Sequence, residues 1–258
     1  MYTADGYDVE GGGSYTADGG GLLYATADLS SCPLDEKTAR EVRFGFIRKV
    51  YSIIGLQLAI TLCSALFFVF CGPFSPDLLS PLLVVGAVGS IVVLLVLACS
   101  RDLSRRYPHN YILLTLFTIF EALSVGIIAS LYHPVLVLQA LLATTIIVAG
   151  LTFFVWQTDY DFTSWLGVTS FIFWGIIAVG LLRVLFWRSL WTQIVCCVVF
   201  ASFYGVYILI DTHLLIKRGS VSFDEDAYVF AAISLYIDII GLFLELLRLL
   251  ALFNRDRD

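Results

Sequence analysis

Four carboxylates stand inside long apolar runs of this chain: Glu121, Asp211, Asp238 and Glu245. An ionisable side chain in hydrocarbon is costly, so one retained there faces a bundle interior, a partner or a water path. Asp211 lies in Tyr207-Ile-Leu-Ile-Asp-Thr-His213 and Asp238 in Leu235-Tyr-Ile-Asp-Ile-Ile-Gly241. The two runs are joined by a short polar segment, residues 217–227, so they should form antiparallel helices with both aspartates at similar depth, where they could meet. Two carboxylates in one poorly solvated site repel when both are ionised; such a pair should share a proton and act as a pH-sensitive latch. The alternative is that each aspartate separately caps a helix end or pairs with an arginine.

Arg101, Arg105 and Arg106 belong to the same side as the aspartates. One of them could neutralise the pair, while the others anchor helices in the headgroup region. Glu121, in Phe117-Thr-Ile-Phe-Glu-Ala-Leu123, falls in the middle of its run and could line an ion path. Glu245 follows Asp238 by seven residues, on the same helical face and two turns deeper, where it could continue that path or pair with Arg248 at i+3.

Hydrolytic chemistry fits poorly. His109, His133 and His213 are assigned to opposite membrane faces and cannot form a three-histidine zinc site. The Gly-x-Gly-Asp signature of intramembrane aspartyl proteases is absent, since Leu-Tyr-Ile precedes Asp238. The six cysteines (Cys32, Cys63, Cys71, Cys99, Cys196 and Cys197) show no metal-site spacing and read as small hydrophobes.

The elements that must position these groups are apolar runs near the roughly 20 residues that a bilayer requires. They fall at residues 50–70, 78–99, 110–130, 134–155, 164–186, 191–215 and 228–253. All six prolines lie in the tail, in loops or in an expected first helical turn, where a missing N–H is tolerated. Of 258 residues, 59% are hydrophobic and 14% charged, with a mean hydropathy of +0.91, which is too apolar for a water-soluble fold of this size. The expected fold is therefore all-α, a polytopic membrane domain of seven transmembrane helices.

The net charge of -6 owes much to Asp5, Asp8, Glu10, Asp18, Asp28, Asp35, Glu36 and Glu41, so it describes a tail and not a binding surface; no basic stripe points to nucleic acid. Residues 1–41 are expected to be a disordered cytosolic tail carrying the repeat Tyr2-Thr-Ala-Asp-Gly6 and Tyr15-Thr-Ala-Asp-Gly19, with the membrane domain at 42–258. A tyrosine-bearing repeat could dock a partner or be phosphorylated, or serve only as a spacer. The chain lacks a basic n-region followed by an apolar h-region, so the first span is expected to serve as the insertion signal.

Lys37, Arg40, Arg43, Arg48 and Lys49 precede the first span, and Arg101, Arg105 and Arg106 follow the second, which assigns both segments to the cytosol. Connections 71–77 and 131–133 contain no Lys or Arg and fall on the far side. Seven full spans place Arg255 and Arg257 there too, against the rule, so a re-entrant last segment is the alternative.

Ordered blocks along the chain resemble the lifeguard branch of the transmembrane Bax-inhibitor-motif family. They are Gly45-Phe-Ile-Arg-Lys-Val-Tyr-Ser-Ile53, Arg106-Tyr-Pro-His-Asn-Tyr-Ile-Leu113, Phe117-Thr-Ile-Phe-Glu-Ala-Leu123, Gly150-Leu-Thr-Phe-Phe154 with Gln157-Thr-Asp-Tyr-Asp-Phe-Thr163, Ile210-Asp-Thr-His213, and Ala231-Ala-Ile-Ser-Leu-Tyr-Ile-Asp-Ile-Ile240. The resemblance covers about residues 42–253 and leaves out the repeat-bearing tail. It implies seven helices with the last one central, a calcium leak from Golgi or endoplasmic-reticulum stores, a paired-aspartate pH sensor onto which Asp211 and Asp238 map, and protection against cell death. The chain departs from the family pattern at Gly241, where relatives commonly have Asn, and at Glu245.

The expected function is thus a pH-sensitive calcium leak channel, not an enzyme, needing no cofactor and holding calcium only transiently at Asp211 and Asp238. Its expected partners are the lipid bilayer and calcium ions. The rival expectation is an interaction protein that regulates receptors or death-pathway proteins without transport.

Overall fold

The computed structural model describes residues 36–72, 75–99, 109–158, 174–175, 178–181, 190–218 and 227–255. They form α1 (Glu36–Phe70), α2 (Pro76–Cys99), α3 (His109–Ser130), α4 (Pro134–Gln157), α5 (Leu190–His213), a π-helical turn (Leu214–Arg218) and α6 (Ala227–Arg255), with no strand among the described residues. Each of α1 to α6 is long and apolar enough to cross a bilayer. Helices are the fitting solution there, because an isolated helix satisfies its own backbone polar groups without water. The expected span at 164–186 falls mostly outside the described residues; its described pieces, 174–175 and 178–181, are helical. Residues 1–35, with the YTADG repeat, also lie outside, and α1 begins at Glu36, ahead of the boundary drawn at residue 42.

Local chemistry explains the helix ends. His133 caps α4: its ring Nδ1 accepts from the Val135 N–H at 3.4 Å, and Pro134 takes the first helical position. At the other end the Thr158 N–H donates to the Phe154 carbonyl at 3.0 Å. The proline reading needs one correction. Because the Ser75 carbonyl accepts from Leu78 and Leu79 at 3.0 and 3.1 Å, α2 starts at Pro76, and Pro81 lies beyond its first turn. The missing Pro81 N–H leaves the Asp77 carbonyl without its usual i+4 donor.

The last helix is the hub. α6 packs against α1, α3, α4 and α5, whereas α2 packs chiefly on α3. Two stripes of α6 carry these contacts. Val229, Ile233, Tyr236, Ile240, Phe243 and Leu247 repeat at alternating spacings of four and three and enter one core cluster with Phe117 and Leu114 of α3. Ala232, Leu235, Ile239 and Leu242 form a second stripe against Val50 and Ile54 of α1 and Ile208 of α5. A helix apolar on more than one face is buried by several neighbours. By contrast, Val84, Val85, Val88, Ile91, Val92 and Leu95 of α2 are exposed, as lipid-facing residues should be.

Small residues let helices approach without a hydrophobic drive between them. A Cβ at Gly126 of α3 would lie 3.0 Å from the Ser64 carbonyl of α1, so a glycine is needed at this crossing. The Ser64 hydroxyl also donates to the Ala122 carbonyl at 2.8 Å, tying the same two helices. α6 is one continuous helix, with none of the breaks that the re-entrant alternative would need. None of the described cysteines is in a disulfide; Cys196 and Cys197 are buried and Cys63, Cys71 and Cys99 exposed.

Candidate functional site

Asp211 sits in the last turn of α5, immediately before the helix opens into the π-helical turn, and Asp238 sits in the first half of α6. The two helices are packed together along their length. Ser234 of α6 donates its hydroxyl to Asp211 Oδ2. Ser234 and Asp238 are four residues apart, on one helical face, so Asp211 is held one turn from Asp238. The carboxylates are close enough to interact electrostatically, and Tyr207, one turn before Asp211, lies in the field of both.

Asp238 is only 9% exposed, and its Oδ2 is buried without a hydrogen-bond partner. Thr212, fully buried beside Asp211 in sequence, likewise has a hydroxyl with no partner. The α5–α6 seam therefore holds two acidic groups, with the Ser234 hydroxyl donating to Asp211 and no donor on Asp238 Oδ2 among the described residues. Such a site takes up a proton or a cation readily, and it repels itself when both carboxylates ionise.

Gly241, one turn beyond Asp238, has a packing reason in this chain. A Cβ there would collide with the ring of Tyr204 on α5, so the glycine is the space in which that ring rests.

The remaining site residues are spread out. Arg101, Arg105 and Arg106 lie outside the described residues. Glu121 is half-buried on α3, beside Ser90 of α2 and within the field acting on Tyr236 of α6, apart from the aspartate pair. Glu245 and Arg248 are both half-buried near the far end of α6. His109 is exposed at the start of α3, His133 caps α4, and His213 is buried at the end of α5. Among the described residues no three His, Cys, Asp or Glu side chains gather as a metal site, so a divalent ion at Asp211 and Asp238 would have an incomplete shell.

Reasoning from the sequence passed over Ser234, Gln57 and Tyr236. The signal for Ser234 was its position one turn before Asp238; for Gln57 it was an amide inside an apolar run. Gln57 Nε2 donates to Thr118 Oγ1 at 2.9 Å, and Thr61 Oγ1 lies 2.8 Å from the Tyr236 hydroxyl, joining α1 to α3 and α6. The Tyr236 ring meets Phe117 edge-on at 6.1 Å.

These features define a polytopic α-helical membrane protein with a central last helix and an acidic pair in its seam. Residues 43–255 match the family described as inhibitor of apoptosis-promoting Bax1. The chain is 39% identical over 217 residues to mouse protein lifeguard 4, covering 83% of this chain and 87% of that relative. It is 33% identical over 216 residues to human protein lifeguard 3, covering 82% and 70% of the two chains. Mouse protein lifeguard 3 is 30% identical over 222 residues, with 84% and 71% covered. The chain belongs to the Bax-inhibitor, or lifeguard, family.

Proposed function

We propose that this protein is a pH-sensitive calcium leak of Golgi or endoplasmic-reticulum membranes that restrains cell death by setting store calcium. The observation that carries the reading is the placement of Asp211 one helical turn from Asp238 across the α5–α6 seam, one held by Ser234 and the other with an unpartnered buried oxygen. A shared proton removes the repulsion and keeps α6 docked on α5; loss of that proton leaves two like charges in a poorly solvated seam and loosens it. The leak therefore rises as pH rises. Carboxylates suit calcium, which prefers hard oxygen ligands, and an incomplete shell lets the ion leave again. The family description supports the role in cell death. The basic cluster before the first span supports a cytosolic N-terminus.

Purified protein in calcium-loaded liposomes tests the reading, because a leak needs no partner. Flux that rises from about pH 6 to pH 8 is the expected result. Absence of flux from correctly inserted protein would favour the interaction-protein alternative. Starting the chain near Lys37 removes the YTADG repeats and keeps the basic cluster, so the shortened protein should insert in the same orientation and leak within about twofold of full length. Loss of flux from the inserted, shortened protein would make the tail part of the channel.

A further inference from the structure

The second polar cluster, on the opposite face of α6 from Asp238, has its own logic. Tyr236 and Asp238 are two residues apart and so point to opposite sides of the helix at nearly one depth. Around Tyr236 gather Gln57 and Thr61 of α1 and Thr118 of α3, all buried, with Glu121 of α3 close enough to act on the tyrosine electrostatically.

Donors and acceptors can be counted one by one. The Thr118 hydroxyl donates to the Leu114 carbonyl at 2.8 Å, so towards Gln57 it can only accept. That turns the Gln57 amide: Nε2 donates to Thr118 at 2.9 Å, and Oε1 is left buried without a donor, on a side chain only 2% exposed. The Thr61 hydroxyl donates to the Gln57 carbonyl at 2.8 Å, so the Tyr236 hydroxyl is the donor in its 2.8 Å bond to Thr61. The lone pairs of Tyr236 Oη are then left as acceptors. The Ser90 hydroxyl has two acceptors within reach, the Glu121 carboxylate and the Ala87 carbonyl at 3.1 Å, and its one proton serves only one of them at a time. The cluster thus holds a carboxylate, an amide oxygen and a phenol oxygen, with the Thr61, Thr118 and Tyr236 hydroxyl protons and one Gln57 amide proton committed to other acceptors. Such an oxygen-rich cluster in a low dielectric is stabilised by a cation.

We infer that Gln57 Oε1, Tyr236 Oη and Glu121 form a hard-cation station between α1, α3 and α6, separate from the aspartate pair and serving as the calcium-selecting step of the leak. The inference rests on the leak reading above. A single carboxylate with neutral oxygens holds calcium loosely, as a conducting site must. α6 then carries two devices on opposite faces: the acidic seam towards α5 senses pH, and the station towards α1 and α3 sets the calcium dependence.

The test uses the full chain in liposomes, measuring flux against calcium concentration for Gln57→Leu and Glu121→Gln. Each variant should raise the half-saturating calcium concentration about tenfold, the usual cost of losing one good polar contact to a charged ligand, and leave the pH profile unchanged. Unchanged half-saturation in both, with the wild type leaking, overturns the station and leaves the leak standing. A collapsed pH profile in either also overturns it, because the two faces would then not be separate. Terbium luminescence excited through the aromatic side chains of solubilised protein provides a readout independent of flux. The emission should fall in both variants and persist in Asp211→Asn; equal emission from all four proteins would overturn the station even if the wild type does not leak, an outcome that separately overturns the leak reading.

Discussion

Asp211→Asn and Asp238→Asn should each flatten the pH response of calcium flux, from about a tenfold rise between pH 6 and 8 in the wild type to less than about twofold. The physical reason lies in the pairing. Asparagine keeps the shape of the side chain and an acceptor for Ser234 at position 211, so α5 and α6 should still dock, but the repulsion between two ionised carboxylates can no longer arise. Either substitution removes the coupled titration, so the two variants should behave alike, and the double variant should add little. Thermal unfolding in detergent separates gating from folding: the variants should melt close to the wild type while their flux loses its slope. A variant that kept the wild-type slope would sink the latch assignment.

Gly241→Asn should destabilise the protein by about 1–3 kcal/mol, even though asparagine is the residue that the resemblance to the family leads one to expect there. In this chain the ring of Tyr204 occupies the volume that a Cβ at position 241 would need. Because the clash involves the far end of the tyrosine ring, it is relieved by turning that side chain and not by moving backbone, and the cost is the packing that the ring gives up one turn from Asp238. The effect should be read as a lower melting temperature in detergent. Combining the change with Tyr204→Ala should recover part of the loss, since the smaller side chain vacates the contested space. Additive losses in the double variant would show that the two positions do not share that space.

Much of the architecture was legible before any tertiary structure. Five of the expected spans match α2 to α6 closely and the first, 50–70, forms the C-terminal part of the longer α1, because runs of about 20 apolar residues are a local property. The approach of Asp211 to Asp238 was also legible. It follows from a short connection between two helices of known length, which makes them antiparallel neighbours and sets the depth of each residue. Pro81 was misplaced by a helix start two residues early, a scale at which the Ser75 carbonyl decides and hydropathy does not.

What the sequence by itself determined is therefore the number of membrane runs, their order, and the charged groups that could not face lipid. Which faces meet was decided only by tertiary packing. In nearly uniform apolar spans every side of a helix looks alike, so periodicity carries little signal for the buried face. The contacts that shape the sites link distant positions: Gln57 to Thr118 across 61 residues, and Thr61 to Tyr236 across 175. No local pattern connects such pairs. They exist because α6 sits at the centre of the bundle, where its few polar side chains find partners from α1, α3 and α5 or stay unsatisfied.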